Sequence, residues 1–272
     1  MLSSFIIALR EGLEAALIVG IVIAYVQKSN RQSMLVNVWI GVASAVALSL
    51  GLGALLSFSS TRLSEHGTAL FAGITSLLAV ILVTWMVFWM KRTSKNLRKD
   101  IATKVDSAFL NGPLALAGVA FLAVIREGLE TSLFVYSNFM SVADPVGSTI
   151  GLIIGFSLSI AIGYAIFKAT VRINLAKFFT YTGVALIVVA AGVLSYAVHE
   201  FQELGFLPGA DSYIFDVTSL LGPHSLVGAV LSGSIGFDSS TSWLQAGIYA
   251  LYAITVLGLY LEKSAPKAAA RV

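Results

Sequence analysis

The pentapeptide Arg10-Glu11-Gly12-Leu13-Glu14 lies inside an apolar run, LSSFIIALREGLEAALIVGIVIAYV at residues 2–26. It returns letter for letter as Arg126-Glu127-Gly128-Leu129-Glu130, again amid apolar residues. Each copy has the form Arg-Glu-x-x-Glu and puts one cation and two carboxylates where charge is costly. Ionisable groups at membrane depth are rare and mark functional sites, because burying each costs several kcal/mol. The rest of the chain reads as scaffolding for these two motifs.

Composition decides what kind of scaffold. The chain has 272 residues, 57% hydrophobic and 11% charged, with a mean hydropathy of +0.90. A soluble domain carries about 25% charged residues. Several apolar runs exceed the roughly 18–20 residues that cross a bilayer as a helix. The sequence therefore predicts an all-α membrane protein embedded in the lipid bilayer, organised as one transmembrane domain over residues 1–272. It has no cysteine, which excludes disulfides, thiolate metal sites and cysteine nucleophiles. The N-terminal run lacks a basic leader and contains Glu11 and Glu14, so it reads as a mature span and not a signal peptide.

Seven spans follow in order, at about residues 2–26, 35–58, 68–90, 113–136, 147–167, 178–198 and 243–261. The motifs fall in the first and fourth. Trp85 and Trp89 close the third span, as expected of an interfacial aromatic belt. Residues 91–112 form the most basic loop, with Lys91, Arg92, Lys95, Arg98, Lys99 and Lys104, and Asn111-Gly112-Pro113 opens the fourth span. Asp144-Pro145 marks a short turn. The segments after spans one, three and five, plus the tail with Lys263, Lys267 and Arg271, hold 14 of the 17 Lys and Arg residues. Arg62 alone lies on the other side. By the positive-inside rule the C-terminus is cytoplasmic and the N-terminus outside. Basic residues in short loops between spans set orientation; they are not a nucleic-acid-binding face, and no nucleic-acid partner is expected.

A repeat runs through this order. Gly41, Ala45, Ser49 and Gly53 stand at intervals of four in span two; Gly151, Gly155, Ser159 and Gly163 repeat them in span five, 110 residues on. Gly73 maps onto Gly183 by the same offset, and the motifs differ by 116. Small residues at this spacing let helix backbones approach closely. Three spans per half place the halves in opposite orientations: an inverted 3+3 repeat, about residues 1–92 and 112–203, plus one. Such repeats place substrate sites near the bilayer midplane.

On a helix Glu11 and Glu14 share a face about 4.5 Å apart along the axis, and Arg10 stands four residues from Glu14. Glu127, Glu130 and Arg126 repeat the pattern. If the helices face each other, four carboxylates meet two guanidiniums, leaving two negative charges in excess. Protonation relieves such repulsion in part, and a multivalent cation relieves it better. Oxygen ligands without thiolates suit hard or borderline-hard cations such as Mg, Mn or iron. A structural ion pair locking two helices is the alternative, but it does not need the extra carboxylate in each motif.

Two Arg-Glu-Gly-Leu-Glu motifs in the first and fourth of seven spans resemble the oxidase-dependent iron transporters, the fungal iron permeases and bacterial ferrous-iron permeases. The resemblance covers nearly the whole chain. It implies an iron permease, and so a transporter and not an enzyme, importing iron ions across the plasma membrane (the inner membrane in a Gram-negative cell). It implies Glu11, Glu14, Glu127 and Glu130 as metal ligands beside Arg10 and Arg126, no organic cofactor, and an extracytoplasmic oxidase or iron-delivery partner. The other readings are a carrier of another divalent cation, Mn or Mg, and a proton-coupled carrier using the glutamates as a relay.

Span six ends in His199-Glu200-Phe201-Gln202-Glu203, at the outer mouth by the topology above. His199 and Glu203 share a helical face with Glu200 nearby, so two or three of them can hold one ion. The outer loop, about residues 204–242, has no Lys or Arg and adds Asp211, Asp216, Asp238 and His224. Such an acidic mouth concentrates cations. A zincin would need a second histidine where Glu203 stands. Residues 219–232, broken by Gly222-Pro223, read as an interfacial segment and not an eighth span.

Overall fold

In the computed structural model, apolar helices of 19–29 residues build the protein, and special residues set their ends. The structure describes residues 1–60, 62–93, 97–141, 144–168, 174–217 and 236–262, together with residues 225, 227–228 and 231–232. Lys95, Arg172, His224, the Gly222-Pro223 break and the tail lysines and arginine lie outside them, as do the side chains of Arg98 and Lys99.

The order is α1 (Leu2–Lys28), α2 (Leu35–Ser60), α3 (Glu65–Thr93), α4 (Leu97–Asn111), α5 (Pro113–Ser141), α6 (Pro145–Phe167), α7 (Leu175–Glu203), β1 (Tyr213–Asp216), β2 (Ser240–Ser242) and α8 (Trp243–Leu261). Gly112, at φ +91°, takes a left-handed conformation that breaks α4, and Pro113 starts α5 with its φ already helical. Asp144 caps α6: its carboxylate accepts the Gly147 N–H at 2.9 Å, with Pro145 at the first helical position. Ser242 and Gln245 form a capping box on α8. Ser242 also donates to Gln202 Oε1 at 2.9 Å, tying α8 to the end of α7.

Lipid is as apolar as leucine, so helices in a membrane associate through close packing instead of hydrophobic exclusion. The small-residue stripes provide that packing. On α6, a side chain added at Gly151 would strike the backbone of Met1, one at Gly155 would strike Ala8, and one at Gly163 would strike Ala16. On α2, one at Gly41 would strike the Ala117 carbonyl of α5. Thus α6 lies along α1, and α2 along α5; α3 lies along α7, and α1 touches α5. Exchanging α1, α2 and α3 for α5, α6 and α7 turns the first pairing into the second and leaves the other two unchanged. Gly73 makes room for the Phe201 ring and Gly183 for Tyr260. Tyr260 carries α8 onto α7, donating to the Phe179 carbonyl at 3.1 Å. The main core lies where α3, α7 and α8 meet and includes Met86, Leu186, Ile187 and Val256.

Three sequence expectations change. The basic loop at residues 91–112 contains a 15-residue helix, α4. Its Ile101, Val105 and Ala108, at helical spacing, bury against Val22, Val26 and Leu116, while Asp100, Lys104 and Asp106 are exposed, and the helix's many charged residues mask the amphipathic pattern in the sequence. Tyr25 of α1 donates to Asp106 of α4 at 2.6 Å. The outer loop contains a short antiparallel pair, Tyr213 opposite Ser242 and Asp216 opposite Ser240. Pairing between segments so far apart leaves no periodic mark in sequence. Finally, Trp85 is exposed, as a belt residue should be, whereas Trp89 turns inward onto Arg126.

Candidate functional site

The motif glycines explain why the charged helices pack so closely with their neighbours. A side chain at Gly12 would strike Ser159 of α6, and one at Gly128 would strike Ser49 of α2. The third member of each stripe therefore sits on the centre of each motif. Both serines satisfy themselves within their own helices, Ser49 donating to the Ala45 carbonyl and Ser159 to the Phe156 carbonyl, each at 2.8 Å. Ser132 of α5 adds a cross-link, donating to the Ser49 carbonyl at 2.8 Å. With each motif backed this way, its charged side chains turn toward the α1–α5 contact.

Arg10 Nη1 lies 3.1 Å from Glu11 Oε1, and Arg10 Nη2 lies 3.3 Å from Glu14 Oε1. Arg126 Nε lies 3.1 Å from Glu130 Oε1 and 3.7 Å from Glu127 Oε1. All four glutamates are buried, the most accessible at 6%. Glu11, Glu14 and Glu127 each offer a carboxylate oxygen, and these three atoms lie within 4.8 Å of one another. Glu130, held by Arg126, falls outside that trio. Glu11 Oε2, Glu127 Oε2 and Glu130 Oε2 are buried without a hydrogen-bond partner among the described residues. A buried oxygen left unpaired costs the full desolvation penalty, so these atoms need a ligand that neutralises them. Hard oxygen donors at this separation can hold a hard or borderline cation.

A cavity of about 540 Å³ opens from this cluster between α1, α2, α5 and α6. Glu11 and Glu127 line one part and Tyr136 and Met140 another, about 20 Å along α5 from Glu127 to Met140 at 1.5 Å per residue. Hydroxyls of Ser49, Ser57, Thr131, Ser132 and Tyr136 add to the two glutamates in a wall that is mostly apolar.

At the far end of α7, His199 Nε2 and Glu203 Oε1 are 3.2 Å apart and partly exposed. Glu200 is 9% exposed and accepts a hydrogen bond from Tyr196 instead. The structure therefore joins two of the three outer residues and tucks the third under them. Asp238 meets His199 across a second cavity of about 280 Å³. Asp211, Glu65 and His66 are exposed. Sequence reasoning missed the placement of Trp89, whose ring centre lies 3.9 Å from the guanidinium carbon of Arg126. Its spacing from Trp85 gives the same signal for a belt residue and for an inward one.

The family model for the iron permease FTR1 family matches residues 1–264. The chain is 35% identical over 263 residues to a protein called ferrous iron permease EfeU from Escherichia coli O6:K15:H31, covering 94% of each chain. It is likewise 35% identical to proteins of the same name from Shigella sonnei, covering 94% of each chain, and from Yersinia pestis, covering 96% of this chain and 93% of that one. No solved structure gives a significant match.

Proposed function

The chain belongs to the iron permease FTR1 family, and from that premise we propose that it imports iron through the carboxylate cluster between α1 and α5. It is a multi-pass membrane protein and a transporter, not an enzyme. The observation that carries the proposal is the trio Glu11, Glu14 and Glu127, whose ligand oxygens converge within 4.8 Å while other oxygens of the cluster stay unpaired. Glu130 completes the set once Arg126 releases it. The similar proteins called ferrous iron permeases make Fe(II) the ion to test first.

Among the described residues, five helices are long and apolar enough to span a bilayer on those two grounds. These are α2, α3, α6, α7 and α8. Of the longer helices, two fall short: α1 and α5, of 27 and 29 residues, each carrying the three charges of a motif. We count them as spans because their charges face the bundle interior, as intramembrane charges do. Seven spans then put the N-terminus outside and the C-terminus in the cytoplasm of a plasma or inner membrane. The reciprocal pairing of α1 with α6 and α2 with α5 supports an inverted repeat. In this reading His199, Glu200 and Glu203 collect iron at the outer mouth, where an oxidase or delivery partner supplies it. The cavity then leads it to the trio.

The test is ferrous-iron binding and uptake by Glu11→Gln and Glu127→Gln, alone and together, at matched protein levels in the membrane. Loss of both activities is expected. Wild-type uptake in the double variant would remove the trio from the path. Competition by Mn(II) and Mg(II) measures the second-cation reading, and proton-coupled transport without metal binding would replace iron altogether.

A further inference from the structure

The two motifs are identical in sequence and unlike in surroundings. Arg10 is 1% exposed and lies near both glutamates of its own motif. The Arg126 side chain is 31% exposed, sits closer to Glu130, at 3.1 Å, than to Glu127, at 3.7 Å, and has its guanidinium carbon over the Trp89 ring. Leu13 is wholly buried and Leu129 is 37% exposed. Trp89 packs into the cluster of Leu13, Leu17, Met90 and Phe179, so one ring joins the leucine of the first motif to the arginine of the second. The residue 110 positions later in α7 is His199, so the repeat does not supply a second tryptophan there.

A guanidinium is planar, with its donors in a rigid fork. Once an aromatic face fixes that plane, the fork cannot turn freely between two carboxylates. Arg126 donates through Nε to Glu130, and its buried Nη2 has no hydrogen-bond partner among the described residues. Glu127, at 3.7 Å from the same Nε, is the carboxylate left over. That residue, and not Glu130, meets Glu11 and Glu14.

We propose that Trp89 is a positioning residue of the transport site. It holds Arg126 on Glu130 as the ion arrives and thereby frees Glu127 to form the initial cation site with Glu11 and Glu14, before Glu130 joins it. The inference rests on reading the trio as the iron site. It assigns Trp89 to the half-saturation for iron, not merely to packing.

The test measures anaerobic ferrous-iron binding to the purified full chain. Trp89→Leu is expected to raise the half-saturation concentration roughly 2- to 30-fold, the range of a cation–π contact from exposed to desolvated. Trp89→Phe, which keeps an aromatic face, should recover most of the loss. In an Arg126→Gln background Trp89→Leu should add nothing. An unchanged half-saturation in Trp89→Leu, an equal loss in the Arg126→Gln background, or a Phe variant as weak as Leu would each overturn the proposal.

A second arm keeps the native Trp89. Replacing Trp39, Trp85 and Trp243, each at least 55% exposed, by Phe leaves Trp89 as the sole tryptophan. Its emission should change saturably with ferrous iron and not in the Glu127→Gln version. A silent Trp89 while iron binds also overturns the inference. Iron binding that survives Glu127→Gln instead overturns the site itself, so the two failures are distinct.

Discussion

Ser49 of α2 rests directly on Gly128, the glycine at the centre of the second motif, with no room between them for a methyl group. A β-carbon on Gly128 would come within 2.7 Å of Ser49 Cβ and closer still to its hydroxyl. Ser159 rests on Gly12 in the same way. The motif is thus two things at once. Its charged residues form the site, and its glycine lets a neighbouring helix back that site.

Gly128→Ala should therefore separate α2 from α5 and lower both stability and iron uptake. Forcing a methyl group into a packed contact costs about 1–3 kcal/mol. Ser49→Gly removes the obstacle, so the double variant should regain most of the lost thermal stability in detergent. If Ser49→Gly rescued nothing, the glycine would be needed for another reason.

Arg10 and Arg126 should differ when each is changed to Gln. Arg10 is enclosed, and its removal leaves Glu11 and Glu14 buried with no counter-charge from their own motif. Breaking a buried pair from one side costs about 3–5 kcal/mol. Arg10→Gln should thus lower the amount of folded protein as well as uptake. Arg126 is a third exposed, so Arg126→Gln should fold nearly normally and show its defect in iron binding. Size-exclusion profiles of the two variants measure the first effect and ferrous-iron titrations the second. Equal folding yields would contradict the asymmetry, and normal uptake in Arg10→Gln would leave that arginine without a role in transport.

Much of this architecture is legible in the sequence because membrane helices announce themselves by length and apolarity. The bounds of α8 match the expected residues 243–261, and α2 differs only by two residues at its end. Gly112 and Asp144 mark helix ends by chemistry that needs no tertiary context. Small residues at intervals of four gave the packing seams. Packing direction is harder to read. Nothing in the spacing says that Ser49 meets Gly128, that Trp89 faces Arg126, or that Glu130 stands apart from the other three glutamates. Those facts depend on how far each helix rotates about its axis, which neighbours decide. The α4 helix was hidden for another reason: its basic charge hides a short apolar stripe of Ile101, Val105 and Ala108.

The outer pair gives the last prediction, because its position separates collection from passage. His199 and Glu203 are in contact and partly exposed, and His199 and Tyr136 line separate cavities. The pair lies on α7, away from the trio on α1 and α5. Its effect on transport should come through capture from dilute solution. His199→Ala and Glu203→Gln should raise the iron concentration for half-maximal uptake and leave the maximal rate near wild type, since saturating iron reaches the trio without help. Raised salt should weaken the wild type toward the variants, because screening shortens the reach of an exposed acidic mouth to about a Debye length, roughly 8 Å at physiological ionic strength. A fall in the maximal rate at saturating iron would move His199 and Glu203 from collection into the translocation step.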